Sequence, residues 1–205
     1  MRTLLTLVVA TLLLACTGVS YANNIIENPG YETGTIEPWE HYEFIELPEP
    51  PSPDEMWMAT TENPHSGQYC AKGVGCRLIF QQTFEPMRVE DITEFSCWLR
   101  QDLNQDLGIG LQFDDPTDEL PGVGMLLDMY LDSPDWHFYD GLAALQDSAM
   151  MAQEALGDGC RLVAVGVNGT FATYTYVDDW VLVPEPASLA LLSVAGLLSL
   201  RRPRR

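Results

Sequence analysis

The octapeptide Thr93-Glu94-Phe95-Ser96-Cys97-Trp98-Leu99-Arg100 alternates with a period of two. Successive side chains of a strand point to opposite faces, so Phe95, Cys97 and Leu99 share one face and Ser96, Trp98 and Arg100 the other. A strand with one apolar face needs a second layer to cover it. Outward from this stretch the chain reads as short strand-like runs punctuated by Gly, Pro, Asn and Asp. They fall at about 24–27, 40–47, 68–73, 76–84, 93–101, 107–113, 123–131, 136–142, 160–167 and 172–183. Only residues 145–156, rich in Ala, Met, Gln and Leu, favour a helix. Residues 47–54 carry Pro48, Pro50, Pro51 and Pro53, cannot sustain a ladder, and read as an exposed loop. Many short strands with turn residues between them specify an all-β fold, a β-sandwich.

The two ends have a different character. Residues 3–15 form an uncharged, Leu-rich run behind Arg2, and Ser20-Tyr21-Ala22 places small residues where a signal peptidase reads. Thirteen residues are too few to span a bilayer, which takes about 20, so residues 1–22 read as a signal peptide and Asn23 as the mature start. Leu13-Leu14-Ala15-Cys16 loosely resembles a lipobox, which would instead make Cys16 an acylated first residue. At the other end Pro184-Glu185-Pro186 precedes the uncharged run 187–200 and then Arg201-Arg202-Pro203-Arg204-Arg205. As a helix that run would rise about 21 Å, short of a hydrocarbon core of about 30 Å. Arginines held on the cytoplasmic face would put the domain on the outer side.

Triplet, apolar stretch and basic end, in that order over residues 183–205, resemble the PEP-CTERM sorting signal. The resemblance implies recognition by an exosortase in the inner membrane, transient membrane association through the tail, and a cut near Pro184-Glu185-Pro186. It implies delivery to the cell surface or the extracellular matrix. Three segments result: signal peptide 1–22, β-sandwich body 23–183 and sorting segment 184–205.

All thirty acidic residues lie between residues 23 and 186, against five basic ones there, a net charge of −25 for that body. Such a surface repels phosphate backbones and anionic lipid, so nucleic acid is excluded as a partner, while divalent cations and neutral ligands are not. Four cysteines remain after signal removal, Cys70, Cys76, Cys97 and Cys160. In an oxidising compartment they read as up to two disulfides with three possible connectivities, of which Cys70–Cys76 across a hairpin with Cys97–Cys160 is one. No C-x-x-C pair or neighbouring His supports zinc. His41, His65 and His137 have no nucleophile partner at motif level, and no hydrolase, metalloprotease or nucleotide-binding motif occurs. No catalytic residue is assigned, and the chain reads as a non-enzyme.

The residues Asn24-Ile25-Ile26-Glu27-Asn28-Pro29-Gly30-Tyr31-Glu32-Thr33-Gly34, with Trp39 beyond, are followed by His65-Ser66-Gly67-Gln68-Tyr69, Gln81 to Phe84, Phe95 to Arg100, Asp135-Trp136 and Tyr176 to Trp180. This series resembles the landmarks of jelly-roll carbohydrate-binding modules, in their order. The resemblance implies a jelly-roll body and a structural calcium tying the first strand to the last. Its side-chain ligands would be Glu32 and Asp178, completed by carbonyls near Ser66 or Lys72, as suits a cation that takes six to eight oxygens. The acidic group 114–119 lacks the spacing of a calcium loop and reads as a solvated turn.

Sugar-binding sandwiches use ring faces against pyranose C–H surfaces, with polar groups for the hydroxyls. The candidates are Trp57, Trp98, Trp136 and Tyr139, with Tyr42 beside them; Trp39 matches a core position. Trp57, in the long Pro-rich loop, is the ring hardest to explain by packing. The expected function is a non-catalytic polysaccharide-binding module outside the cell. The alternative is an acidic matrix protein crosslinked by divalent cations, without sugar specificity.

Overall fold

The computed structural model describes residues 23–43, 52, 56–74, 78–103, 106–115, 117, 122–169 and 173–185. The strands are β1 (Glu40–Glu43), β2 (Met58–Thr60), β3 (Cys70–Gly73), β4 (Leu78–Met87), β5 (Ile92–Gln101), β6 (Asp106–Asp114), β7 (Val123–Tyr130), β8 (His137–Asp140), β9 (Arg161–Asn168) and β10 (Thr175–Pro184). One helix, α1 (Leu142–Leu156), joins β8 to β9, and a 3-10 turn spans Val89–Asp91. The strands form two five-stranded antiparallel sheets, ordered β1-β4-β9-β6-β7 and β2-β3-β10-β5-β8.

The alternation in β5 decides how the layers meet. Phe95, Cys97 and Leu99 are fully buried and face the first sheet, whose Phe80, Ile109, Leu111, Phe113 and Val167 complete the core. Around Tyr31, Trp39, Phe80 and Trp180 the core is aromatic, with Trp39 and Phe80 stacked at 5.2 Å. Burying rings of this size supplies much of the apolar area that a sandwich of short strands needs.

The strand expected at 24–27 is not one. Ile25 N–H bonds Leu182 O at 3.0 Å, but the neighbouring positions are taken by the Asn24 side chain. Its Nδ2 donates to Trp180 O at 2.6 Å and its Oδ1 accepts from Leu182 N–H at 2.8 Å. A side-chain amide thus replaces a peptide group in tying the N-terminal segment to β10. Conversely β2 was not legible, because three residues are too few to show a period. Helix α1 begins at Leu142, three residues before the expected 145. Its one buried polar residue, Ser148, is satisfied by donating to Ala144 O at 2.8 Å. Gly157, at φ +86°, ends the helix with its N–H on Gln153 O.

The disulfide expectation is corrected. Cys70, Cys97 and Cys160 are buried free thiols, so neither Cys97–Cys160 nor Cys70–Cys76 is formed; Cys76 lies outside the described residues. Burial pushes the Cys70 thiol up to about 12 and raises Cys97 and Cys160 as well, which keeps all three protonated and unreactive. Asp115, expected in a solvated turn, is buried and accepts from Thr117 N–H and Oγ1. The signal peptide, Cys16, most of the Pro-rich loop and residues 186–205 lie outside the described residues. Among those described, no helix is long and apolar enough to cross a membrane.

Candidate functional site

The outer face of the second sheet is built by the residues that alternate with its core positions. In β5 these are Trp98 and Arg100. Register sets Trp98 opposite Asp178 of β10 and Phe138 of β8, and it sets Arg100 opposite Tyr176, which in turn faces Lys72 of β3. On the far side of β3, Lys72 pairs with Met58 of β2.

At the β8 end of this face the rings gather around His65. The imidazole stacks on Trp98 at 3.8 Å and meets Trp136 edge-on at 5.6 Å, while Phe138 tilts against Trp98 at 5.3 Å. Phe138 is 56% exposed, an unusual exposure for a phenylalanine within a sheet. Two polar ties hold the cluster: Trp136 Nε1–H donates to Asn63 O at 3.2 Å, and His65 Nδ1 lies 2.7 Å from Asp179 Oδ2.

His65 also connects the rings to an acidic group. Asp178 Oδ2 accepts the N–H groups of His65 (2.9 Å) and Ser66 (3.2 Å), and its Oδ1 accepts that of Asp179 (2.8 Å). Burial pushes its carboxyl up to about 7 in spite of these donors. Glu32 accepts from the N–H groups of Gln68 and Tyr69. The turn between them bears Gly67 at φ +58°, where any side chain would run into the Glu32 carboxylate, so glycine is required twice over. A β-bulge in β10 between Asp178 and Val181, with Asp179 at φ +48°, turns Asp179 towards Ser66 and His65.

The Asp178 and Asp179 carboxylates and the Glu32 side-chain methylene therefore pack around Gly30. Among the described residues no three His, Cys, Asp or Glu side chains converge as a ready-made metal cage. The donor set still suits a hard cation in part. Two of its carboxylates come from the first and last segments of the fold, and Asp178 is a buried acid in want of positive charge.

The sugar-binding candidates separate. Trp98 and Trp136 come together in the ring cluster. Trp57 does not join them: it is 2% exposed, stacks flat on Phe80 at 5.1 Å, and its backbone N–H donates to His41 Nε2 at 2.8 Å. Burial lowers the His41 pKa, which suits this acceptor role. Tyr139 alternates with Phe138 onto the core side, packs edge-on against Phe95, and is pushed up to about 12 by burial. Tyr42 is exposed on the outer face of the first sheet, away from the cluster. Sequence reading missed His65 and Phe138. Phe138 was recoverable from the alternation after Trp136, whereas His65 reaches the cluster only through a loop.

No protein-family model matches the chain, and no curated protein does. Solved structures do resemble it. The N-terminal tandem of CBM22 modules from Paenibacillus barcinonensis superposes with a TM-score of 0.53 at 12% identity, covering 83% of this chain and 52% of that one. A single CBM22 xylan-binding domain from the same organism gives 0.49 at 12% identity, over 76% of this chain and 97% of that domain. A CBM61 module solved with β-1,4-galactotriose gives 0.46 at 15% identity, over 80% and 99%. The tandem superposition shows the fold: two antiparallel sheets arranged as in carbohydrate-binding modules.

Proposed function

We propose that this chain is an exported, non-catalytic module that binds a neutral polysaccharide on the outer face of its second sheet. The observation that carries the reading is the convergence of Trp98, Trp136 and the exposed Phe138 around His65. Pyranose C–H faces pack on such rings, and rings fixed beforehand by Asn63 O and Asp179 lose little entropy on binding. A body of net charge −25 repels acidic glycans, which leaves neutral ones. The named ligands of the similar modules, xylan and a β-1,4-galactan fragment, are the natural probes.

Electrophoresis of the folded body through gels containing xylan, β-1,4-galactan or no polysaccharide is expected to show retardation by at least one of the two. Replacing Trp136 and Phe138 together with alanine removes two stacking surfaces and is expected to weaken retention at least about tenfold. Unretarded migration of the folded wild-type body in both gels would overturn the reading.

Calcium is assigned to the Glu32–Asp178 cluster in this proposal. These two side chains would hold it, and it would supply positive charge beside a buried carboxylate. Export through residues 1–22, exosortase processing of residues 184–205 and a final location at the cell surface or in the matrix belong to the same reading. Pro184 ends β10 and Glu185 is exposed, so a cut near the triplet would spare the sandwich. Replacing Pro184, Glu185 and Pro186 with alanine is expected to leave the protein in the membrane fraction. Undiminished release of that variant would remove the sorting assignment.

A further inference from the structure

The opposite edge of the same face carries a feature that the ring cluster does not use. Met58, Lys72, Tyr176 and Arg100 follow one another in register across β2, β3, β10 and β5, and Trp136 stands just before β8, the next strand. The Arg100 guanidinium lies 4.7 Å from the Tyr176 ring centroid and is fixed by Pro134 O (2.8 Å) and Asp102 (3.1 Å). The middle of the row is thus a filled, rigid floor. Beyond it, at the β2 edge, is a pocket of ≈ 120 Å³ whose lining includes Met58, Thr60, Glu62, Lys72 and Tyr174. Lys72 Nζ donates to Glu62 Oε2 at 2.5 Å and sits 3.9 Å from the Tyr174 ring centroid. That hydrogen bond holds the Glu62 carboxyl below its usual range, so the pair is charged at neutral pH. Tyr174 is 41% exposed and Met58 51%, so the pocket opens to solvent.

We propose that this pocket is a second, distal subsite for a neutral polysaccharide, with the glycan chain crossing the strands from the Trp136–Phe138 cluster to Tyr174. The proposal rests on the polysaccharide reading above and adds to it a direction, a length and a second recognition chemistry. An ammonium and a carboxylate side by side present a donor and an acceptor to neighbouring hydroxyls of one sugar ring, and the part of the Tyr174 ring that Lys72 leaves exposed offers apolar surface for its C–H groups. The paired charges cancel, so an acidic sugar gains nothing from Lys72. From β2 to β8 the face spans four strand spacings, about 19 Å, which suits an oligosaccharide of several units rather than a disaccharide.

The test is calorimetric titration of the folded body with oligosaccharides, from disaccharide to hexasaccharide, of whichever polysaccharide retards the protein. Affinity is expected to climb with length. Tyr174→Ala is expected to weaken the longest oligosaccharide about tenfold and leave the disaccharide unchanged, since one stacking contact is removed at the far end. Glu62→Gln acts in the same direction by less. Both positions are exposed, and an unshifted melting temperature will verify that the variants fold. Affinity that does not climb with length, a climb retained in full by Tyr174→Ala, or loss of disaccharide binding in that variant would each overturn the distal subsite while leaving polysaccharide binding intact. Absence of binding at every length would instead remove the polysaccharide reading itself.

Discussion

Trp180→Ala is expected to destabilise the sandwich by about 3–5 kcal/mol, the cost of deleting a fully buried indole. For a domain of this size that is a fall in melting temperature of about 6–20 °C. The effect is large because Trp180 joins three parts of the fold. Its ring packs on Trp39 at 5.2 Å and on Phe95 at 6.2 Å, and its Nε1–H donates to the buried Tyr31 hydroxyl at 3.1 Å. Its main chain takes part too, since the N–H bonds Pro29 O and the carbonyl accepts from Asn24 Nδ2. Trp180→Phe keeps most of the apolar area and loses the hydrogen bond, so its expected cost is smaller, about 1–3 kcal/mol. Thermal or urea unfolding separates the two variants. Equal melting temperatures for wild type and Trp180→Ala would show that the aromatic centre does not hold the N-terminal segment to β10.

The second large effect concerns pH. Asp178 has its carboxyl raised from 3.8 to about 7, chiefly by burial. The folded protein therefore keeps a proton that the unfolded chain releases above pH 4. Where the native state binds more protons than the unfolded state, stability falls with rising pH. The contribution of Asp178 is accordingly greatest below pH 4, declines between about 4 and 7, and levels off above. One proton changes stability by about 1.4 kcal/mol per pH unit, so the decline is on the order of a few kcal/mol. Urea unfolding in chelator is expected to show it, and Asp178→Asn is expected to flatten the slope even though the level drops through lost N–H acceptors. With calcium in excess the decline is expected to shrink, since the cation stabilises the charged carboxylate. Identical pH profiles in calcium and in chelator would withdraw calcium from the cluster. An unchanged slope in Asp178→Asn would assign the decline to other acids of this highly charged body.

Much of the architecture is local in origin and was legible for that reason. The period of two in Thr93 to Arg100 sorted β5 into two faces, because neighbouring side chains of a strand must diverge; packing against the first sheet then made Phe95, Cys97 and Leu99 the core face. The same rule placed Trp98 on the face opposite Phe95, Cys97 and Leu99. The turn residues between runs gave the all-β class and nine of the ten strands described, with 24–27 expected in excess and β2 missed. Composition fixed the charge of the body.

What the sequence could not determine depends on partners distant along the chain. Trp57 lies in a Pro-rich stretch that looks exposed, yet it is buried because Phe80 and His41, on other strands, form its slot. The cysteines looked pairable by count, but the sandwich buries Cys97 on one sheet and Cys160 at the start of a strand in the other, where each remains a thiol. His65 stood in a turn landmark with nothing to place it beside a ring; the loop that Asp178 and Asp179 hold by hydrogen bonds lays it on Trp98. The alternation of one strand is written in eight consecutive residues, whereas a binding face is written in the register between strands, and only tertiary packing sets that register.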